Sequence, residues 1–360
     1  MSLAPAVIKT LDLIAFTQCA SPFDDGNGVC LDIQTDPGHT IVLAAGYLYD
    51  ASRNTIAHVA RCTDGINFLS VSIPITAIGS RITSIAYSSN PVRWLIYGYN
   101  GTRSVVATSD DGITWALWTP AAIGGLSSIN PSKMIVPPGA TTTRTIALDD
   151  ISDGTNTTGL TYVSSNPVGF WASSFLGNST DSVSKDLCYL PTGPHNVMAV
   201  GVNIQTMNVN LSADLGSNWD DAINVAGFGD FSYPMSCIHF VGDGTIDYVV
   251  IVALRQMMIV YPPYDNYTFI VNIPGFTDIA AVAFEHFSYL FVSTLGVPGL
   301  WYCNDPANDF PWFQAVLPSY SPIILDATAI PIIGPLYLAG QPNPSLVVPG
   351  IPSGQVCYID

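Results

Sequence analysis

Glutamate is almost missing from this 360-residue chain, since Glu285 is the only one among 27 acidic residues. Lysine is nearly as scarce, present only as Lys9, Lys133 and Lys185. Surface helices are usually built with Glu and Lys, whereas Asp prefers turns, so long solvent-facing helices are excluded as a main element. Ten Lys and Arg against 27 acids leave a formal net charge of -17. Binding to a phosphate backbone, which needs clustered cations to replace counterions, is excluded with them. An acidic surface instead favours cation binding or a basic partner. No apolar run reaches the ~18 residues of a membrane helix. Met1-Ser2-Leu3-Ala4-Pro5 lacks the basic region and apolar core of a signal peptide, so the location expected is a virion or the extracellular space, reached without one. The seven cysteines form no CxxC pair. They read as reduced core thiols, with Cys19 and Cys30 the only short-range pair worth testing as a disulfide. His39, His58, His195, His239 and His286 show no HxxxH spacing, and zinc has no support.

What is abundant is apolar side chains, at 48%, with 30 Gly and 27 Pro to punctuate them. That profile suits many short strands joined by tight turns. From Gly28 the apolar β-type runs recur in groups of four. The first group is 29–34, 40–47, 55–61 and 69–73, and the second is 82–87, 93–99, 104–108 and 115–118. A third pass, about 122–178, is longer and less regular, and its extra length is placed in an exposed loop around Asp149-Asp150-Ile151-Ser152-Asp153-Gly154. Further passes begin near Leu187, Cys237, Ile279 and Ile323. Repeats of about 42 to 55 residues fit four-stranded blades, and the fold class expected is all-β, a single β-propeller of seven blades. Residues 1–27 supply an N-terminal strand, Val7 to Phe16, that closes the ring beside Val356 to Ile359, and 28–360 form the propeller. Six blades is the alternative if the terminal segments form something else.

Polar turns closed by an aromatic recur at the repeat interval. They are Asp64-Gly65-Ile66-Asn67-Phe68, then Thr108-x-Asp110-x-Gly112-x-Thr114-Trp115, then Ser212-x-Asp214-x-Gly216-x-Asn218-Trp219. Asp64-Gly65 and Asp111-Gly112 are aligned copies 47 positions apart. The second and third turns resemble the Asp-box of bacterial-neuraminidase-repeat β-propellers, and the resemblance extends over about 28–320. It implies that the aspartate and hydroxyl bond backbone amides, that Gly accepts positive φ and that the aromatic packs between sheets. These are structural parts, so Asp110→Ala is expected to loosen the second blade. The family contains sialidases, lectins, assembly factors and phage virion proteins, and its motif fixes fold far better than function.

The sialidase reading asks for an arginine triad, a Tyr nucleophile assisted by Glu and an Asp acid/base. Here no Arg-Ile-Pro segment precedes the first box, and the sole Glu lies beside His286 at a strand end. No catalytic residue is assigned. An Asp-dependent glycoside hydrolase stays an alternative because paired aspartates are easily supplied. Hard-oxygen groups at Asp24-Asp25-Gly26-Asn27 and Asp149-Asp150-x-x-Asp153-Gly154 are candidate Ca²⁺ loops, although neither matches an EF-hand and no cofactor is expected. Trp94, Trp118 and Trp301, with Tyr264 in a Tyr- and Pro-rich loop, are the aromatics available to a ligand, while Trp115, Trp219 and Trp312 read as blade anchors. The function expected is a non-enzymatic virion attachment or assembly protein, of a phage tail or capsid, binding other virion proteins or host-surface glycan. A carbohydrate-binding lectin is the second reading, and neither nucleic-acid binding nor membrane insertion is expected.

Overall fold

The computed structural model describes residues 17–18, 21–23, 28–38, 40–65, 67–118, 127–128, 130–138, 144–152, 157–165, 171–176, 182–203, 206–226, 235–241, 247–253, 256–264, 266–270, 280–286, 289–294, 299–303, 306–308, 312–314, 323–329, 336–341 and 356–359. Among these the strands form seven antiparallel sheets, as a seven-bladed propeller requires. The first sheet is Gly28–Thr35, Val42–Tyr49, Thr55–Cys62 and Leu69–Val71. The second is Ser80–Ser89, Val92–Asn100, Ser104–Ser109 and Ala116–Trp118. In the third sheet the first strand is broken into Ser127–Ser128 and Met134–Ile135, both paired with Thr145–Ser152, and Thr157–Ser164 and Ala172–Phe175 follow. The fourth, fifth and sixth sheets begin at Ser182–Tyr189, Met235–Phe240 and Ala280–His286. The seventh runs Ile323–Ala329, Leu336–Gln341 and Val356–Ile359, and takes its outermost strand from Thr17–Gln18, with Thr17 opposite Tyr358 and Gln18 opposite Cys357. The segment expected to close the ring, Val7 to Phe16, lies just before that strand and outside the described residues. First strands of consecutive sheets abut, and Gly28–Thr35 abuts Ile323–Ala329, so the ring closes on itself. No described helix is long and apolar enough to cross a membrane.

Sheets stacked around an axis bury both faces of their middle strands, which therefore read as unbroken apolar runs. Tyr248–Ala253 is buried at every position, as is Ser104–Ser109. Each core is shared between neighbours: Leu43, Ala45 and Val59 of the first sheet pack on Trp94, Ile96 and Val105 of the second. The short outer strands Leu69–Val71 and Ala116–Trp118 are the exposed ones. The high apolar content is thus spent between blades.

A β-bulge interrupts the first strand of the first, second, fourth and seventh sheets, between Cys30 and Asp32, Ile82 and Ser84, Ser184 and Asp186, and Ile324 and Asp326. Opposite each bulge the second strand carries a glycine: Gly46, Gly98, Gly201 and Gly340. The reason is steric. A Cβ on Gly46 would overlap the carbonyl oxygen of Val29, and one on Gly98 that of Arg81. In these four sheets bulge and glycine come as a pair, whereas the irregularity between Ala280 and Ala283 of the sixth sheet faces Thr294 and Val292.

The loop expected around Asp149–Gly154 is not where the third sheet keeps its extra length. Asp149 and Asp150 lie in a strand, paired with Leu160 and Gly159, and both are fully buried. The sheet's irregularity falls instead on its broken first strand.

Gly98→Ala is expected to cost roughly 1–3 kcal/mol by overpacking, whereas Gly38→Ala, facing only the end of the Asp36 side chain and a Thr40 methyl, should be nearly neutral. Denaturant unfolding of the two variants checks this.

Candidate functional site

Three polar turns fasten third to fourth strands, and each uses its aspartate in the same way. Asp64 accepts from the Asn67 amide at 2.7 Å and the Asn67 side chain at 2.6 Å, with the Cys62 thiol at 3.3 Å. Asp214 accepts from the Asn218 amide at 2.9 Å, the Asn218 side chain at 2.6 Å and Ser212 Oγ at 2.9 Å. In the second sheet the working carboxylate is Asp111. It accepts from the amides of Ile113 and Thr114, each at 2.8 Å, and from Ser109 Oγ at 2.9 Å. Thr108 and Asp110, taken from the sequence as the box residues, do not fill those roles: Thr108 is a buried strand residue, and Asp110 pairs with Arg93 at 2.8 Å. The cause is turn length. In the Asp64 and Asp111 turns the left-handed residue follows the aspartate directly, Gly65 at φ 83° and Gly112 at φ 71°. The Asp214 turn holds two left-handed residues, Leu215 at 57° and Gly216 at 84°. The 47-residue alignment of Asp64 with Asp111 already carried that register. Trp115 and Trp219 pack between sheets, Phe68 packs on the first sheet with Phe23, and Trp219 Nε1 donates to Thr161 Oγ1 at 2.9 Å. The Thr114 and Ile113 amides, with the Ser109 hydroxyl, hold the Asp111 carboxyl well below the usual carboxylate range.

A second set of carboxylates, not anticipated from the sequence, ties blades together at the axis. Asp32 accepts from its neighbour Ile33 N at 2.8 Å and from Ile85 N of the next sheet at 2.7 Å. Asp186 accepts from Leu187 N at 2.8 Å and, in the next sheet, from Cys237 N at 2.9 Å and Ser236 Oγ at 3.1 Å. Ser84 takes the same position in the second sheet and accepts from Met134 N at 3.1 Å. The third sheet, with its broken first strand, uses Asp150 from its second strand to receive Ser184 N at 2.7 Å and Asn130 Nδ2 at 2.9 Å. Asp149 beside it accepts the Tyr97 hydroxyl at 2.5 Å. Burial dominates the electrostatics here. It pushes Asp150 up to about 6 against the amides and Asn130 that pull it down, raises Asp186 despite the charge of Lys133, and with Asp149 drives Tyr97 well above its ordinary value. Lys133 stands 3.5 Å from Asp32 Oδ2 and also acts on Asp186, so one lysine serves carboxylates of two sheets.

A Thr, Asp, His and Tyr group occupies the seam between the fourth and fifth sheets. Asp247 Oδ2 accepts from Thr192 Oγ1 at 2.6 Å and faces His239 Nε2 at 3.3 Å, while Tyr264 OH lies 3.3 Å from Thr192 Oγ1. A nucleophile relay needs the imidazole beside the hydroxyl, and here the carboxylate sits between them. Burial lowers His239.

The aromatics proposed for a ligand do not come together. Trp94 is buried between the first and second sheets, edge-on to Tyr87 with centroids 4.9 Å apart. Tyr264, at φ 78°, is buried between the fourth and fifth. Both are packing residues without a solvent-facing ring. Trp118 is exposed on an outer strand, and Trp301 is half-buried in the sixth sheet. Of the suggested Ca²⁺ loops, 24–27 and 153–154 lie outside the described residues, and among the described residues no three His, Cys, Asp or Glu side chains gather as a metal site would need. Cys30 directs its thiol to Asp32 O at 3.6 Å, and Cys19 is outside the described residues. Glu285 lies in the strand Ala280–His286.

Two end faces differ in chemistry. The face formed by the first-to-second and third-to-fourth turns carries Asp36, Asp64, Asp110, Asp111 and Asp214. On the opposite face, over the first and second sheets, arginine and tyrosine alternate. Arg53 lies over the Tyr49 ring at 5.7 Å, Tyr49 meets Tyr47 edge-on at 5.4 Å, and Arg81 lies over Tyr99 at 5.2 Å and acts on Tyr47.

No family model and no curated protein matches the chain. Solved structures do match in fold. A Dos1 propeller is similar at TM-score 0.59 and 12% identity, with 96% of this chain and 95% of that one covered. The Myceliophteria thermophila Cps50 (Swd1) β-propeller domain is similar at TM-score 0.59 and 10% identity, with 96% and 99% covered. Trypanosoma rangeli sialidase follows at TM-score 0.53 and 11% identity, with 97% of this chain but 58% of that one covered. The chain is a β-propeller.

Two measurements check the site. Asp111→Ala should lower the melting temperature, and Asp110→Ala should leave it almost unchanged. Because burial lifts Asp150 from 3.8 to about 6, its contribution to stability is full below about 3.8 and is lost as pH rises through 6, worth on the order of 2–3 kcal/mol. Asp150→Asn should therefore flatten the stability profile between those two pH values, measured by denaturant unfolding at stepped pH.

Proposed function

We propose that this propeller is a non-enzymatic assembly or attachment protein, a component of a virion such as a phage tail or capsid, that offers its end faces to protein partners. The observation that carries this reading is the contrast between faces: Val92 and Ile113 stand exposed among acidic turns on one side, and Ile78 among arginines and tyrosines on the other. Exposed apolar side chains set among charges of one sign are the features of a protein-binding surface. The carboxylates support the same reading, because Asp36, Asp64, Asp111 and Asp214 in the turns and Asp32, Asp150 and Asp186 at the axis are occupied by backbone amides. Acid/base chemistry at Asp149 and Asp150 would need solvent access that their burial denies. Trp118, exposed on an outer strand, supports the second reading, a carbohydrate-binding surface.

The deciding experiment is isolation of the native protein from its source. It should be found in a large particle at fixed stoichiometry, and recovery as a free monomer would refute the assembly reading. A glycan array with strong, Trp118-dependent binding would favour the lectin instead.

A further inference from the structure

We infer that copies of this chain stack head to tail, the acidic face of one propeller docking on the arginine and tyrosine face of the next. The inference deepens the assembly reading and rests on it. Both surfaces lie over the same two sheets. On the acidic face, Val92 and Ile113 are 57% and 52% exposed, with Leu69, at the rim, 70% exposed. Asp36, Asp64, Asp110 and Asp111 surround them, while Arg61 and Arg93 are half-buried below. On the opposite face Ile78 is 66% exposed. It lies beside the turn at Gly101, whose Cβ would meet the Ile78 carbonyl. Around it stand Tyr47, Tyr49 and Tyr99 with Arg53, Arg81 and Arg103. Among the described residues the acid in that neighbourhood is Asp50, which accepts from the Ser52 and Asn54 amides, both at 2.8 Å, and from the Asn54 side chain at 2.9 Å.

Among the described residues three arginines and one aspartate therefore face four aspartates, one of them paired with Arg93, and two half-buried arginines, in a chain that holds only ten Lys and Arg in all. Each surface offers apolar area with charge of the sign the other lacks, which is what orients two partners and suppresses the wrong pairing. The partner committed to is a second copy, because this chain itself presents the complementary surface. Placement favours it further. Since both patches sit at opposite ends of the first and second sheets, stacking along the ring axis brings them towards one another, and the step is about the length of the ten-residue strand Ser80–Ser89, roughly 30 Å plus its turns. The interface is heterologous, so it does not close on itself and each added copy presents a fresh face.

Sedimentation velocity on the purified full chain tests this. Association should rise with protein concentration at about 50 mM salt and weaken at least about tenfold at about 500 mM, as screening of exposed charges requires. Two variants break one face each: Arg53→Glu with Arg103→Glu, and Asp110→Lys with Ile113→Lys, all at exposed positions. Each should be monomeric alone, and circular dichroism should show both folded. Mixed in equal amounts they should form a 1:1 dimer and nothing longer, since each retains the face the other has lost. A native chain that stays monomeric at low salt, or a mixture of folded variants that does not dimerise, overturns the stack. Such a result leaves the assembly reading standing if the native protein is still recovered in a particle, so the two fail separately.

Discussion

The fold depends on a carboxylate held at a kink in the innermost strand. A bulge in the first strand of a blade turns Asp32, or Asp186, sideways to the sheet, where it receives an amide of the following blade at 2.7 or 2.9 Å. Neighbouring blades otherwise meet through apolar packing, which is strong but has no direction. A buried carboxyl–amide hydrogen bond has direction, and leaving its amide unpaired costs about 1–3 kcal/mol. The carboxylate thus sets the spacing and rotation of one blade against the next. The glycine opposite makes room for the bulge, and Lys133 supplies positive charge where several acids converge.

Where a blade departs from this rule, the neighbouring structure replaces the missing part. The second sheet has Ser84 instead of an aspartate, and its hydroxyl oxygen still receives Met134 N. The third sheet has lost the continuity of its first strand, and Asp150 reaches the fourth sheet from one strand further out. That substitution is expensive. Asp150 sits beside Asp149 in a dry environment, and the cost appears as a carboxyl that holds its proton to about pH 6. Irregular sequence in the third repeat and strained electrostatics at its junction are two expressions of one defect.

The sequence made the fold legible because its signal repeats: apolar runs in fours, turns in register and an aspartate–glycine–aromatic string at nearly constant spacing. The turn aspartates were legible to within one residue, and the error at Asp110 arose from fitting an eight-residue pattern to a turn one residue shorter. The axial aspartates were harder. Asp32, Asp186 and Asp326 each stand within a first strand, with a glycine downstream, yet a lone Asp in a strand also fits a solvent-facing position. Only the bulge, which is a property of pairing, reveals that Asp32 and Asp186 turn towards the next blade. Trp94 and Tyr264 were misplaced for a related reason: an aromatic near a turn does not disclose which side of its sheet a neighbouring blade will cover.

Composition takes on a different meaning once the carboxylates are assigned. A charge of -17 suggests an acidic molecule in general, but part of the aspartate is engaged in the ring itself, in turns that stay ionised and at an axis where burial works against ionisation. The charge that remains for partners is unequally divided between the end faces: among the described residues Arg61, Arg93 and Arg144 stand among the aspartate turns of one, while Arg53, Arg81 and Arg103 stand on the other, over the first and second sheets, beside Asp50. Net charge is therefore a poor guide to what this surface binds, and the division between its faces is the better one. A disc with ends of opposite character has a built-in direction, and direction is what an ordered assembly needs from each of its parts.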